Sequence, residues 1–283
     1  MKLDLAHRQL HTMPELEADP LNITDLNLFD NELSEIPHVA FDMHNLTILN
    51  VSVNRLTHIS ERIGELTNLS MIDLGHNQIK HVPDALYTLS NLSDYLYLHN
   101  NHMEQLDNRI GDFPRLRYLN ISDNALLQLP DGIGKLGAMV ELRCMNNKLT
   151  SLPDALNGLR SIRELHFRNN HLVALPDMFD SLSTLRVLDL ESNRLTAIPD
   201  SIGHCRQLRR LNLRHNELTT LPEHIIGCHS LLELDLRSNL LTSLPESLRE
   251  LKGLERLDLR WNHELQYPDW LEDMEANGCT VYR

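Results

Sequence analysis

At 283 residues the chain can bury a sizeable core, and 41% apolar content with only 5% aromatics requires that core to be built from leucine and isoleucine. A formal charge of −14 excludes a general attraction to nucleic acid or anionic membrane, because like charges repel at a distance. No apolar run of signal-peptide or membrane-spanning length is present, and four scattered cysteines do not make a disulfide framework; residence in the cytoplasm is the expectation, with export by a route lacking a cleaved signal left open.

In chain order, the opening MKLDLAHRQL already carries a register, Leu3, Leu5, Leu10, Met13 and Pro14, that the rest of the chain repeats. It departs from the repeat at Arg8, where later units have asparagine, as a terminal unit facing water on one side would. A polar link over residues 15–20 leads into Ile23, Leu26, Leu28 and Asn31. The clearest unit is Leu231 to Pro245, LLELDLRSNLLTSLP, or L-x-x-L-x-L-x-x-N-x-L-x-x-L-P when aligned on its asparagine. That slot is filled by Asn31, Asn54, Asn77, Asn101, Asn124, Asn147, Asn170, Asn193, Asn216, Asn239 and Asn262; nine intervals are 23 residues and one is 24. Such spacing predicts stacked units, each contributing a short strand over x-L-x-L-x with leucines inward and their neighbours outward.

The asparagine is expected to donate to and accept from backbone groups of adjoining turns that water cannot reach. A proline six residues later fixes an extended turn, with Ser60 and Asp107 standing in its place in two units. Segments such as 131–136 then return as a short helix or 3₁₀ turn. The single long interval places one extra residue within 93–95, which predicts a bulge at a strand entrance. At the other end, residues 269–277 read as a capping helix with Trp270, Leu271 and Met274 inward, and 279–283 as an edge strand.

This pattern resembles the 23-residue class of leucine-rich repeats found in intracellular Ras-associated scaffolds and in many bacterial repeat proteins. The resemblance implies a curved α/β solenoid, a horseshoe whose concave face is a parallel sheet and whose convex face carries short helices, 3₁₀ turns or extended turns. It also implies that proteins bind the concave face. The expected division is a single domain over 1–283: a partial repeat or cap at 1–20, eleven repeats over 21–262 and a C-terminal cap over 263–283. The chain is similar also to the recognition arm of bacterial effector ubiquitin ligases, although those use shorter repeats and append a catalytic domain for which no residues remain.

Outward positions lie two, four and six residues before each asparagine. In the first half they bring up Phe29, Ile48, Met71, Tyr95, Tyr97 and Tyr118, followed by Met145, an apolar and aromatic band holding three of the six tyrosines. Aromatic clusters in the middle of a concave patch have the composition of a binding hot spot. In the second half Arg168, Arg214, Arg237 and Arg260 share one column, flanked by Arg143, Arg210 and Arg256. Alone this ladder suits a phosphate or acidic peptide, yet seven acids interleave with these seven arginines, so pairing across neighbouring strands is expected to neutralise most of it.

Signals for chemistry are weak. His166 falls in one column with Asp189 and Arg143, but no serine or cysteine nucleophile accompanies them. Cys205 and Cys228 occupy a slot that is leucine at Leu136, Leu159 and Leu251, so buried thiols explain them better than a metal site formed with His204 and His229. The reading is a non-enzymatic protein-binding module, monomeric, without cofactor or metal, whose partner is a protein rather than a small-molecule substrate, nucleic acid or membrane. The alternatives are a secreted effector or regulatory subunit acting on a partner enzyme and, behind these, an anionic-ligand binder using the arginine ladder.

Overall fold

The computed structural model describes residues 1–283, which form two compact units, Met1–Met139 and Val140–Arg283. In the first, six three-residue strands lie parallel and in register: β1 (Lys2–Asp4), β2 (Asp25–Asn27), β3 (Ile48–Asn50), β4 (Met71–Asp73), β5 (Tyr95–Tyr97) and β6 (Tyr118–Asn120). In the second, seven follow the same rule: β7 (Glu141–Arg143), β8 (Glu164–His166), β9 (Val187–Asp189), β10 (Arg210–Asn212), β11 (Glu233–Asp235), β12 (Arg256–Asp258) and β13 (Thr280–Tyr282). Each unit is thus a solenoid of stacked repeats with a parallel sheet, and the return segments are 3₁₀ helices, most of five residues, such as Asp131–Lys135 and Asp200–His204. The middle residue of almost every strand, from Leu26 to Leu257, is buried, as is the leucine or its equivalent two residues on.

The strands are three residues long, shorter than the five that x-L-x-L-x suggests, and in most repeats a side chain helps turn the chain out of the sheet. At the position four before the repeat asparagine, Asn or Asp turns back on its own backbone: Asn27 Oδ1 accepts from Phe29 N at 3.1 Å, Asn50 from Ser52 N at 3.0 Å, and Asp235 from Arg237 N at 3.1 Å. This Asx turn diverts the chain out of the ladder. Three residues after the Asx residue the backbone is left-handed, with φ of 52° at Asp30, 55° at Val53, 53° at Ser238 and 63° at Trp261. Asn and Asp tolerate that region, whereas a β-branched valine is strained there.

The repeat asparagines then tie each turn to the one before it. Asn239 Nδ2 donates to Leu213 O at 3.0 Å and Leu236 O at 2.9 Å, while its Oδ1 accepts from Leu218 N at 3.1 Å. Asn31 makes the equivalent bonds back to the N-terminal unit, to Leu5 O and from Leu10 N, although that unit has no asparagine of its own. Where proline is missing from its slot, the substitute caps the 3₁₀ helix: Ser60 Oγ accepts from Arg62 N and Asp107 Oδ1 from Arg109 N. A short polar side chain here does by hydrogen bonding what proline does by ring closure.

The long repeat is resolved by a two-on-one bulge. Elsewhere both amides at a strand entrance donate to a single carbonyl, as Thr47 N and Ile48 N do to Thr24 O, whereas Ser93 and Asp94 both face Ser70 and then offer two carbonyls, Ser93 O accepting from Arg117 N and Asp94 O from Tyr118 N. Register is regained at Tyr95, the first residue of β5. At the C-terminus α1 (Trp270–Ala276) buries Trp270, Leu271 and Met274, and β13 closes against β12.

Candidate recognition surface

The outer positions of β3 to β6 carry Ile48, Met71, Tyr95 and Tyr118 as successive register partners in one row. Tyr95 is the prominent member, 43% exposed, and the other three are half-buried. Tyr97, two residues along β5, points to the same side, as the strand pleat requires. The rings of Tyr95 and Tyr97 stack with centroids 5.7 Å apart and planes 10° apart. Tyr118 leans on both, at 5.4 Å from Tyr95 and 5.1 Å from Tyr97. Three rings in mutual contact hold one another in place at low conformational cost, each pair adding roughly 0.5–1.5 kcal/mol beyond burial.

The platform continues through an edge contact from Tyr97 to His99 at 5.9 Å and from His99 to His76 at 4.9 Å. His99 Nδ1 is buried without a hydrogen-bond partner. Burial lowers the pKa of its imidazole below the ordinary 6.5, helped by His76 and opposed by Asp73. Burial also raises the Asp73 carboxyl above its ordinary value, against the hydrogen bond it accepts from Gly75 N. Of the other band residues, Phe29 sits in another column, its ring edge-on to His7 at 5.1 Å, and Met145 is a half-buried residue of the Val140–Arg283 unit.

The arginine column of the second unit is paired, though not mainly in the direction the strand spacing suggests. The tightest pairs run along a strand: Arg237 to Asp235, Arg260 to Asp258 at 2.7 Å, and Arg143 to Glu141 at 2.5 Å. Cross-strand pairs are longer, with Arg210 to Glu233 at 3.3 Å and Arg214 to Glu191 at 3.7 Å. Arg214, Arg237 and Arg260 follow one another in a single column, so for Arg237 and Arg260 the equivalent position on the adjoining strand holds another arginine and a carboxylate is found instead two residues back along the same strand. Asp258, fully buried, gathers Arg260, Arg256 and Arg237. Burial would raise its pKa, but hydrogen bonds from Arg260 and Arg256 and the charge of Arg237 hold the carboxyl below its usual value. Arg168 alone of the column is exposed and makes no ion pair.

Two aromatics that the column count passes over join this end. Arg214 and Arg260 lie over the Trp261 ring at 5.9 and 5.7 Å, and Arg260 and Arg256 over Tyr282 at 4.9 and 5.3 Å. Trp261 occupies the left-handed position and Tyr282 the capping strand, so neither falls in a repeat column; exposed aromatics beside an arginine-rich column were the available signal. His166 lies in register with Asp189 and Arg143, but its Nε2 faces Glu164 Oε2 at 3.1 Å and Glu141 Oε1 at 3.8 Å rather than a nucleophile. Cys144, Cys205, Cys228 and Cys279 are buried and free, and burial pushes the Cys228 thiol up to about 12, which leaves it an inert core group.

No helix is long and apolar enough to cross a membrane. Among curated proteins none matches the sequence. In solved structures, a leucine-rich repeat protein of Leptospira interrogans is 24% identical with a TM-score of 0.62, over 99% of this chain and 95% of its own. The plant peptide hormone receptor RGFR1, solved with RGF2, is 24% identical with a TM-score of 0.82, and TLR13, solved with ssRNA13, is 24% identical with a TM-score of 0.79. The chain spans 99% and 93% of itself in these matches but only 49% of the plant receptor chain and 40% of the TLR13 chain. These likenesses concern the fold, which serves commonly as an interaction module. The leucine rich repeat family profile matches residues 21–79, 44–103, 114–172, 173–218 and 206–263, and with the repeated asparagine ladder this makes the chain a member of the leucine-rich repeat family.

Proposed function

We propose that this chain is a non-enzymatic recognition module that captures a protein partner on the tyrosine platform of residues 1–139, while the charged columns of residues 140–283 select for a partner of matching charge pattern. The observation that carries the reading is the mutual stacking of Tyr95, Tyr97 and Tyr118 on the open side of β5 and β6, with Tyr95 turned to solvent. Rigid aromatic anchors beside one another are what hot spots are made of. Ile48 and Met71 extend the apolar row, and residues 1–139 hold nine basic against nineteen acidic residues, which favours a partner segment that is both apolar and basic.

The arginine ladder is the weaker surface, since Arg214, Arg237 and Arg260 already have carboxylate partners; only Arg168 has its charge free for an anionic group. The same repeat spacing continues from Asn124 to Asn147, which supports reading residues 1–283 as one repeat domain. A monomeric, cytoplasmic protein that binds neither nucleic acid nor membrane suits the acidic charge. The test is affinity capture with purified chain against a Tyr95→Ala/Tyr118→Ala double variant. The partner should be lost from the variant with thermal unfolding nearly unchanged, and equal capture by both moves the site elsewhere.

A further inference from the structure

The open faces of β7 and β8 contain an arrangement that the tyrosine platform does not need. Glu141 and Glu164 are register partners on adjacent strands, so two carboxylates face each other directly. Like charges in that relation repel and destabilise a sheet. The other acid-on-acid register pair, Asp235 with Asp258, is resolved by three arginines. Here Arg143 pairs with Glu141 through Oε1, and Glu164 faces the His166 ring.

His166 stands where most repeats place the Asn or Asp that closes the turn, so it has surrendered a structural task. Its ring is instead turned onto the two glutamates, with the imidazole side chain only 14% exposed. The donor atoms of Glu141, Glu164 and His166 all lie within 4.8 Å of one another. The Asp189 carboxylate, in register with His166, adds further negative field.

We propose that Glu141, Glu164 and His166 form a binding site for a divalent transition-metal ion, best suited to zinc. An imidazole with two carboxylates is a donor set for zinc or its neighbours rather than for magnesium or calcium, which take oxygen alone. Zinc bonds of about 2.0–2.2 Å to these three atoms need only side-chain rotation on two fixed strands. The ion neutralises the opposed carboxylates and keeps His166 neutral with Nε2 as ligand. Arg143 holds Glu141 Oε1, the oxygen that faces His166 Nε2 at 3.8 Å, and acts as the outer partner that orients a ligating carboxylate. Three protein ligands leave a fourth position open to water or to a carboxylate, imidazole or thiolate of a docked protein. The site stands independently of the tyrosine platform.

The experiment is calorimetric titration of chelator-treated full chain with zinc chloride, repeated on His166→Ala and Glu164→Gln and with magnesium chloride as comparator. The expected result is one zinc site that weakens at least about tenfold in each variant, with no magnesium binding. Glu164 is partly exposed, so its variant keeps the test alive should His166→Ala unfold. The absence of zinc binding, equal binding by wild type and Glu164→Gln, or displacement of zinc by equimolar magnesium each overturns the assignment.

Discussion

The imidazole of His99 lies over Gly75: a Cβ built on that glycine would stand 2.3 Å from the His99 Cε1. The glycine is therefore the seat of the ring that carries the tyrosine platform on toward His76. Gly75→Ala must push His99 aside and remove the edge support of Tyr97. Partner capture should fall while the unfolding midpoint moves by no more than roughly 2–4 °C, since one flexible ring absorbs the clash. Unaltered capture by this variant separates His99 from the binding surface.

His99 also sets a pH dependence. Its pKa is lower folded than unfolded, so the unfolded chain takes up the proton first and stability drains away as pH falls below 6.5. Asp73, with a raised pKa, works in the opposite sense, adding stability as acid protonates it. Thermal unfolding of wild type and His99→Gln across this range isolates the histidine contribution: the variant should lose less stability on acidification.

Val53 stands at a left-handed position, φ 55°, that the other repeats fill with Asp, Asn, Ser or His, apart from Trp261 in the last. Val53→Asn relieves a β-branched side chain of that conformation and should raise stability by about 1 kcal/mol, seen as a midpoint increase of roughly 2–4 °C. A drop in midpoint would mean that the valine methyl groups contribute more by packing than they cost in strain.

The two asparagine classes should separate on mutation. Asn239→Ala leaves two carbonyls and an amide of adjoining turns unpaired and should cost about 2–3 kcal/mol in denaturant unfolding. Asn50→Ala removes an Asx turn at a half-exposed position and should cost about 1 kcal/mol.

Asp258→Asn strips the charge that three arginines share and should destabilise by about 1–2 kcal/mol, because a buried carboxylate loses its hydrogen bonds while Arg256 and Arg260 remain open to solvent. Glu233→Gln, which breaks the open pair with Arg210, should change stability by less than about 1 kcal/mol. With its pKa depressed in the folded chain, Asp258 contributes fully at neutral pH, and its contribution is lost only as pH falls below the ordinary carboxylate range.

The fold was legible because its signals are periodic. Leucine slots, the Asn ladder, the extra residue before Tyr95 and the Trp270 helix all follow from counting, since stacking forces each repeat to reuse the same buried positions. The surface was legible only in part. Columns identify which residues point outward, but not which outward residues are occupied by local work: Asn27, Asn50 and Asp235 share a column with Tyr97 and His166, yet their oxygens are spent on their own turns. Nor does counting reveal the direction in which a long side chain bends, which is why the arginine pairs run along strands. The Glu141, Glu164 and His166 cluster is hidden from counting because its members come from two different columns, whereas Cys205 and Cys228 share one slot of adjacent repeats beside His204 and His229 and are core residues.

The Asx turn has a consequence for how such a surface diversifies. A repeat nominally offers three outward letters, but nine of its twelve occurrences here spend the middle one on Asn or Asp. New recognition can then be written in only two letters per repeat unless a unit forgoes its turn closure and draws rigidity from elsewhere. Tyr97, Arg143 and His166 are the three that do so, and each is braced by neighbours: Tyr97 by Tyr95 and Tyr118, Arg143 by Glu141, His166 by Glu164. In this chain a missing Asx residue marks the repeats where the sequence is released from the architecture of the turn.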